Sequence, residues 1–267
     1  ERINVFMAVP TIYQKLVAYW SERDSAERER LSKAARRMRL MVSGSAALPA
    51  PLFAAWEKIT GHQLLERYGM TEIGMALSNP LEGERRPGTV GVPLPGCEVR
   101  LQDGRIEVRG PNVFKYYWRR PEETANSFTA DGWFKTGDIA ELESDGYYKI
   151  LGRESQDIIK SGGYKISALE IESVLLEHPA IEEAAVVGIA DDEWGECIAA
   201  AIVRKDAGTG KFAALAAEIS SWLETKLARY KCPRRWKQVA RLPRNAMGKV
   251  MKPQVRELFT DSKAEVE

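Results

Sequence analysis

The stretch Gln63-Leu64-Leu65-Glu66-Arg67-Tyr68-Gly69-Met70-Thr71-Glu72 decides how the first half of the chain is read. Its first part, Gln63–Tyr68, is a short apolar-rich run that predicts a strand, and the run breaks at Gly69. Two comparable runs stand upstream, Asn4–Val9 and Leu40–Val42. Between them Thr11–Trp20 has helical spacing, and the charged stretch from Ser21 to Arg37 reads as a solvated helix or loop. Pro49–Ile59 reads as a helix with proline near its start. Strand and helix alternate, which argues for a mostly parallel sheet. A motif that follows a strand in such a sheet sits at the carboxyl edge, where ligands bind.

From Gly83 to Gly110 the character changes. Pro and Gly punctuate short strands at Glu98–Leu101 and Arg105–Val108, which predicts a small β subdomain. Asp145-Gly146 reads as a hairpin turn between Ile139–Leu142 and Tyr147–Leu151. The polar, glycine-bounded segment from Gly152 to Gly163 is the best domain boundary. Beyond it come a helix at Ala168–Glu177, strands at Ala184–Ile189 and Ile198–Arg204, a helix at Phe212–Leu227 and a strand at Trp236–Val239. The expected organisation is an α/β domain with its small β subdomain over 1–152 and a compact α+β domain over 153–267. Asp206–Lys211 is a loose linker, and its Gly208-Thr209-Gly210-Lys211 lacks the spacing of a phosphate loop and reads as a turn.

The 267 residues are 44% apolar and 29% charged, with 39 basic and 38 acidic side chains for a net charge of +1. That balance argues against a nucleic-acid or membrane-surface partner. No apolar run approaches the roughly 20 residues of a spanning helix. Cys97, Cys197 and Cys232 stand singly, in neither a disulfide framework nor a zinc pattern, which fits a reducing compartment. His62 and His178 are far apart and read as ordinary structural or surface residues. A buried-strand pattern begins almost at Glu1, so sequence is expected to be missing upstream, and any targeting segment with it.

Four motifs carry chemistry. In Tyr68-Gly69-Met70-Thr71-Glu72 the tyrosine can stack on a flat base, and Gly69 lets backbone approach. The Thr71 hydroxyl can donate to a phosphate oxygen, and Glu72 can hold Mg²⁺, a hard cation that takes one or two carboxylates plus phosphate oxygens. Taken alone, the same residues are a strand-to-helix turn with Thr as cap. Asp138 ends Trp133-Phe134-Lys135-Thr136-Gly137-Asp138, and one carboxylate can accept bonds from both hydroxyls of a ribose. Arg153, after Gly152, can donate to the same sugar. Lys249 closes Pro243-Arg244-Asn245-Ala246-Met247-Gly248-Lys249, and a mobile three-donor cation suits an α-phosphate that gains charge in a transition state. The small residues of Gly44-Ser45-Ala46-Ala47 would let a base lie against backbone, or make a plain tight turn. Together the motifs supply what is needed to hold ATP.

In this order and combination they resemble the C-terminal half of an acyl-CoA synthetase of the adenylate-forming superfamily, over essentially the whole chain. The resemblance implies a ligase that activates a carboxylic acid with ATP to an acyl-adenylate and passes the acyl group to coenzyme A. It implies that Gly44, Ser45, Ala46, Tyr68, Gly69, Met70, Thr71, Asp138, Arg153 and Lys249 bind the nucleotide. Lys249, Thr71 and Glu72 are then catalytic, with Mg²⁺ on Glu72, and Lys249 also meets the attacking carboxylate. The loop Lys160-Ser161-Gly162-Gly163-Tyr164-Lys165 resembles the one that lines the pantetheine tunnel, and the segment before it the family's hinge. Many relatives carry Asp or Lys where this chain has Ser155, and the stretch from Arg153 to Gly162 is one residue longer here. The hinge is therefore Ser155, Gln156 or Asp157. The run Leu64–Ser78, together with Asn4–Tyr13 and Ile158–Glu170, closely resembles malonyl-CoA synthetases of the mitochondrial type.

Arg67 fits that resemblance. A fixed guanidinium can take a second carboxylate bidentately, where many relatives have a neutral residue. The alternative is that it pairs with a structural acid. The implied substrates are malonate, ATP and coenzyme A, and the implied compartment is the mitochondrial matrix, with the cytoplasm as alternative. No segment matches the family's Ser/Thr/Gly-rich phosphate loop, which normally lies well upstream. The competing readings are a synthetase for another short- or medium-chain acid, and a truncated nucleotide- or CoA-binding module without turnover.

Overall fold

The computed structural model describes residues 3–205, 212–246 and 248–260, so the linker at 206–211 and its glycine-rich turn lie outside it. The chain divides into two compact units, Glu1–Ile150 and Leu151–Glu267. No described helix is long and apolar enough to cross a membrane.

The first unit opens with β1 (Val5–Ala8), α1 (Pro10–Ser21), α2 (Ser25–Arg36), β2 (Leu40–Ser43), α3 (Ala50–Thr60) and β3 (Leu65–Met70). Each helix has a local cause. Pro10 starts α1, where its missing N–H costs nothing. Asp24 caps α2 by accepting the Glu27 N–H at 2.9 Å, which turns the charged stretch into a helix. Gly61, at φ 73°, ends α3. β1, β2 and β3 are parallel, with Val5 opposite Leu40 and Val42 opposite Leu65. Tyr13, Met41, Leu48, Phe53, Trp56 and Leu64 pack between this sheet edge and its helices. Tyr13 is fully buried, and its hydroxyl donates to Val42 O at 2.9 Å.

The sheet is not parallel throughout. β3 turns directly into β4 (Gly74–Ser78), and β5 (Val92–Pro93) follows, both antiparallel to their neighbours in the order β1-β2-β3-β4-β5. A three-residue turn is too short for a crossover helix, so the chain can only double back. The β subdomain is a four-stranded sheet of β6 (Glu98–Gln102), β7 (Arg105–Arg109), β8 (Phe134–Leu142) and β9 (Tyr148–Arg153), with α4 (Pro121–Ser127) between β7 and β8. Ile73, Ala76 and Leu77 of the hairpin share a core with Ile106, Val108, Phe134 and Tyr148 of this sheet.

The second unit is built on β10 (Ile158–Ser161), β11 (Tyr164–Ser167), β12 (Ile181–Asp191), β13 (Gly195–Arg204) and β14 (Arg235–Gln238), in the order β11-β10-β13-β12 with β14 also on β13. Its helices are α5 (Ala168–Leu175), α6 (Phe212–Glu224) and α7 (Lys252–Thr260). Side chains along β13 alternate between two cores. Ile198, Ala200 and Ile202 pack with α5 and α6, and Ala199 and Ala201 pack with Val255 and Phe259 of α7. That explains the continuous apolar run at Cys197–Val203, because a strand covered on both faces has no polar side.

Candidate active site

The first unit places Tyr68, Gly69, Met70, Thr71 and Glu72 on one hairpin. Tyr68, Gly69 and Met70 are the last residues of β3, and Thr71 and Glu72 form the turn into β4, so the strand-to-helix alternative is wrong here. A β-bulge at Tyr68/Gly69 shifts the register. A methyl on Gly69 would lie 2.0 Å from Gly74 O, so only glycine lets the two strands approach this closely. The turn is held from outside by the segment after β7. Phe114 N–H donates to Glu72 O at 2.7 Å, and Asn112 Nδ2 donates to Ile73 O at 2.5 Å. Tyr117 Oη donates to Glu72 Oε1 at 2.8 Å. The sequence reading missed Tyr117. Its signal was the aromatic run Tyr116-Tyr117-Trp118, which had no partner until the fold supplied one.

Tyr68 Oη donates to Asp138 Oδ2 at 2.6 Å, across 70 residues of sequence. The expected base-stacking ring and the expected diol carboxylate are therefore joined. Asp138 is buried on β8, and its N–H donates to Thr136 Oγ1 at 3.1 Å. Gly44 and the exposed Ser45 and Ala46 leave β2 as a loop, with Ser45 at φ 66°. A methyl on Gly44 would touch Arg67 O at 3.4 Å and Arg67 Cγ at 3.6 Å, so the loop lies against Arg67. The Arg67 guanidinium reaches Met7 Sδ at 3.7 Å and makes no ion pair among the described residues.

Glu72 is the one acidic residue of this turn. No cluster of three potential metal ligands occurs among the described residues. A single partly buried carboxylate, with one oxygen engaged by Tyr117, fits a magnesium ion whose remaining ligands are phosphate oxygens and water.

The second unit carries the rest. Arg153 ends β9 and opens a tight turn: Gln156 and Asp157 N–H both donate to Arg153 O, at 3.0 and 2.8 Å, and Arg153 N–H donates to Asp157 Oδ2 at 2.9 Å. All three hinge candidates, Ser155, Gln156 and Asp157, lie in this turn. The expected loop Lys160–Tyr164 is instead a tight hairpin. Lys160 and Ser161 belong to β10 and Tyr164 to β11, with only Gly162 and Gly163 between them. Their φ values of 57° and 82° suit the two-residue turn that matches strand twist. Lys160 N–H donates to Glu196 Oε2 at 2.6 Å, and Gly162 packs on Trp194, whose indole lies under Arg234 at 3.8 Å.

Lys249 is exposed on a loop pinned at both ends. Asn245 N–H donates to Lys249 O, and Asn245 Oδ1 accepts Lys249 N–H, each at 2.9 Å. Arg244 donates to Gly248 O at 2.7 Å and to Glu183 Oε2 at 2.9 Å. Met247 lies outside the described residues. The backbone is thus fixed while the ammonium is free to move. Of the two histidines, His178 is buried, its Nδ1 accepting the Ala180 N–H at 3.3 Å.

Two family models match the chain: the AMP-binding enzyme over residues 1–118 and the AMP-binding enzyme C-terminal domain over residues 170–249. The chain belongs to the AMP-binding enzyme family. Among relatives of this AMP-binding enzyme, a probable CoA ligase of Humulus lupulus, CCL8, is 51% identical over 97% of this chain and 45% of its own length. The mitochondrial malonate–CoA ligase ACSF3 of Xenopus laevis is 48% identical over 95% of this chain and 49% of its own. The crystal structure of ATP-bound MatB from Rhodopseudomonas palustris superposes with a TM-score of 0.86 at 41% identity, covering 97% of this chain and 52% of that one. The α/β and α+β architecture is therefore that of adenylate-forming enzymes, and the chain spans about half the length of the curated relatives it matches.

Proposed function

We propose that this chain carries the adenylate- and CoA-handling residues of an AMP-forming acid–thiol ligase whose acid is malonate. What supports the acid is Arg67: a cation without an ionic partner among the described residues, against the Gly44 loop and one residue from Tyr68. A dicarboxylic acid presents one carboxylate to react and leaves one to be recognised, and a planar guanidinium takes the second bidentately. The expected domain roles follow, with adenylation over 1–152 and a CoA-handling lid domain over 153–267.

In the first half-reaction a malonate oxygen attacks the α-phosphorus of ATP, and diphosphate leaves. Tyr68 stacks on adenine while its hydroxyl orients Asp138 toward the ribose, with Arg153 as second donor. Gly44, Ser45, Ala46, Gly69 and Met70 line the nucleotide with backbone and small side chains. Thr71 donates to an α-phosphate oxygen, and Lys249 neutralises the charge that develops there. Glu72 would hold magnesium together with the phosphates, and the ion would supply positive charge against the departing diphosphate. In the second half-reaction the thiol sulfur of coenzyme A attacks the anhydride carbonyl and AMP leaves, with Lys160, Ser161, Gly162, Gly163 and Tyr164 along the thiol's path. The mitochondrial matrix is the proposed compartment, in line with the Xenopus relative.

The test is binding of non-hydrolysable adenosine conjugates to the chain by calorimetry. A charge-assisted contact to the distal carboxylate is worth about 2–4 kcal/mol, or roughly 30- to 1000-fold preference for a malonyl over a butyryl conjugate. Arg67→Met is expected to abolish that preference and leave the butyryl conjugate bound as before. A ratio that does not move refutes malonate. Binding of neither conjugate favours the reading in which the chain alone does not complete the nucleotide site.

A further inference from the structure

Glu66, beside Arg67, is used by nothing above. It is 4% exposed on β3, opposite Ser43 of β2. Its Oε1 accepts the Leu48 N–H at 2.9 Å, the residue where the Gly44–Ala47 loop re-enters the core. Its Oε2 has no partner among the described residues, and neither has the buried Ser43 Oγ on the adjoining strand. The Glu66 backbone carbonyl accepts from Asn79 N and Nδ2. No cation among the described residues pairs with the carboxyl. Arg67 lies against Gly44, Arg85 donates to the carbonyls of Gln63, Pro80 and Leu81, and Arg86 pairs with Asp145 and Glu143. An acid held like this is neutral, because a buried carboxylate without a partner is too costly.

We infer that Glu66 is a positioning residue, a protonated carboxyl that holds the Gly44–Leu48 loop in its nucleotide-binding shape and releases it on losing its proton. The role of the loop rests on the function proposed above; the latch itself does not. Burial pushes the Glu66 carboxyl up to about 8, opposed only by the Leu48 N–H. The sign of the linkage follows. The unfolded chain ionises this group near 4.5, so between there and about 8 folding takes up a proton, and stability falls as pH rises through that window and is level above it. Above about 8 the carboxylate is charged in an apolar setting and must seek water. Among the elements that touch the carboxyl, the loop gives way most readily, since β2 and β3 are paired strands of the sheet.

Two readouts separate the latch from the function. The first is amide hydrogen exchange at Leu48, corrected for intrinsic rate, from pH 7 to 9.5. The second is calorimetric affinity for AMP over the same range, where the phosphate is already a dianion. In the unmodified chain Leu48 protection and AMP affinity are both expected to fall about tenfold or more across pH 8. Glu66→Gln keeps the carbonyl oxygen and cannot ionise, so both readouts should hold level at their pH 7 values. Glu66→Leu should lose both at every pH. If Glu66→Leu does not fold, the comparison of Glu66→Gln with the unmodified chain still decides. A Glu66→Gln profile that tracks the unmodified one overturns the inference, as does Leu48 protection that ignores pH. Loss of protection at Leu48 across pH 8 without any AMP binding leaves the latch standing and, as with the conjugates, favours the reading in which the chain alone does not complete the nucleotide site.

Discussion

Replacing Lys252 with methionine is expected to destabilise the second unit by about 3–5 kcal/mol, the cost of leaving a buried charge without its partner. Lys252 begins α7 and is 6% exposed. Its ammonium contacts Glu172 of α5, donates to Val186 O of β12 at 2.7 Å and faces Asp157 Oδ1 at 3.7 Å. Glu172 Oε1 also accepts the Val186 N–H at 2.6 Å. Burial holds the Glu172 carboxyl above the usual carboxylate range, with Lys252 pulling the other way. One cation therefore ties the segment after Lys249 to a helix, a strand and the Arg153–Asp157 turn. Chemical unfolding, read by hydrogen exchange at Val186, measures the loss. The double variant Lys252→Met with Glu172→Gln removes both charges and should recover part of it. If the double variant is no more stable than the single one, the cluster does not act through charge compensation.

The second large effect is catalytic. If the chain serves the ligase proposed above, Lys249→Ala should slow malonate-dependent diphosphate release about 10²- to 10³-fold, the usual cost of losing one preorganised donor to a charge that develops in the transition state. CoA transfer from pre-formed malonyl-adenylate should change far less. Lys249 is exposed, and its loop is closed by backbone and Asn245 bonds that alanine retains, so folding is not at stake. Stopped assays of the two half-reactions decide the matter. An equal fall in both would remove Lys249 from the adenylation step.

Much of the fold could be read from periodicity. The strands at β1, β2 and β3 and the helices between them are local patterns, and β13 announced itself as an apolar run. The turn after Met70 stayed open between two shapes, because Thr71-Glu72 suits a helix cap as well as a hairpin. What decides is Ile73, fully buried against Ile106 and Val108, which draws the chain back along β3. The hairpin at Gly162-Gly163 was read as a loop from its resemblance to the family's pantetheine loop. Its pairing, Lys160 with Lys165 and Ser161 with Tyr164, depends on neighbours rather than on composition. The site showed the same division. Motif residues were visible singly, but Tyr117 and Glu66 owe their roles to contacts across 45 and 18 residues, which no window of sequence contains.

The double-glycine hairpin has a consequence for inheritance. Every missense change of a glycine codon installs a residue that carries a Cβ. At Gly162 that carbon would sit 2.9 Å from the Trp194 ring, on a backbone at φ 57°. Gly163 shares the left-handed backbone but faces open space. Missense alleles at these adjacent codons should therefore differ in severity. Those at 162 meet both a steric and a conformational barrier, and those at 163 only the second, so alanine at 163 should be the milder lesion of the two.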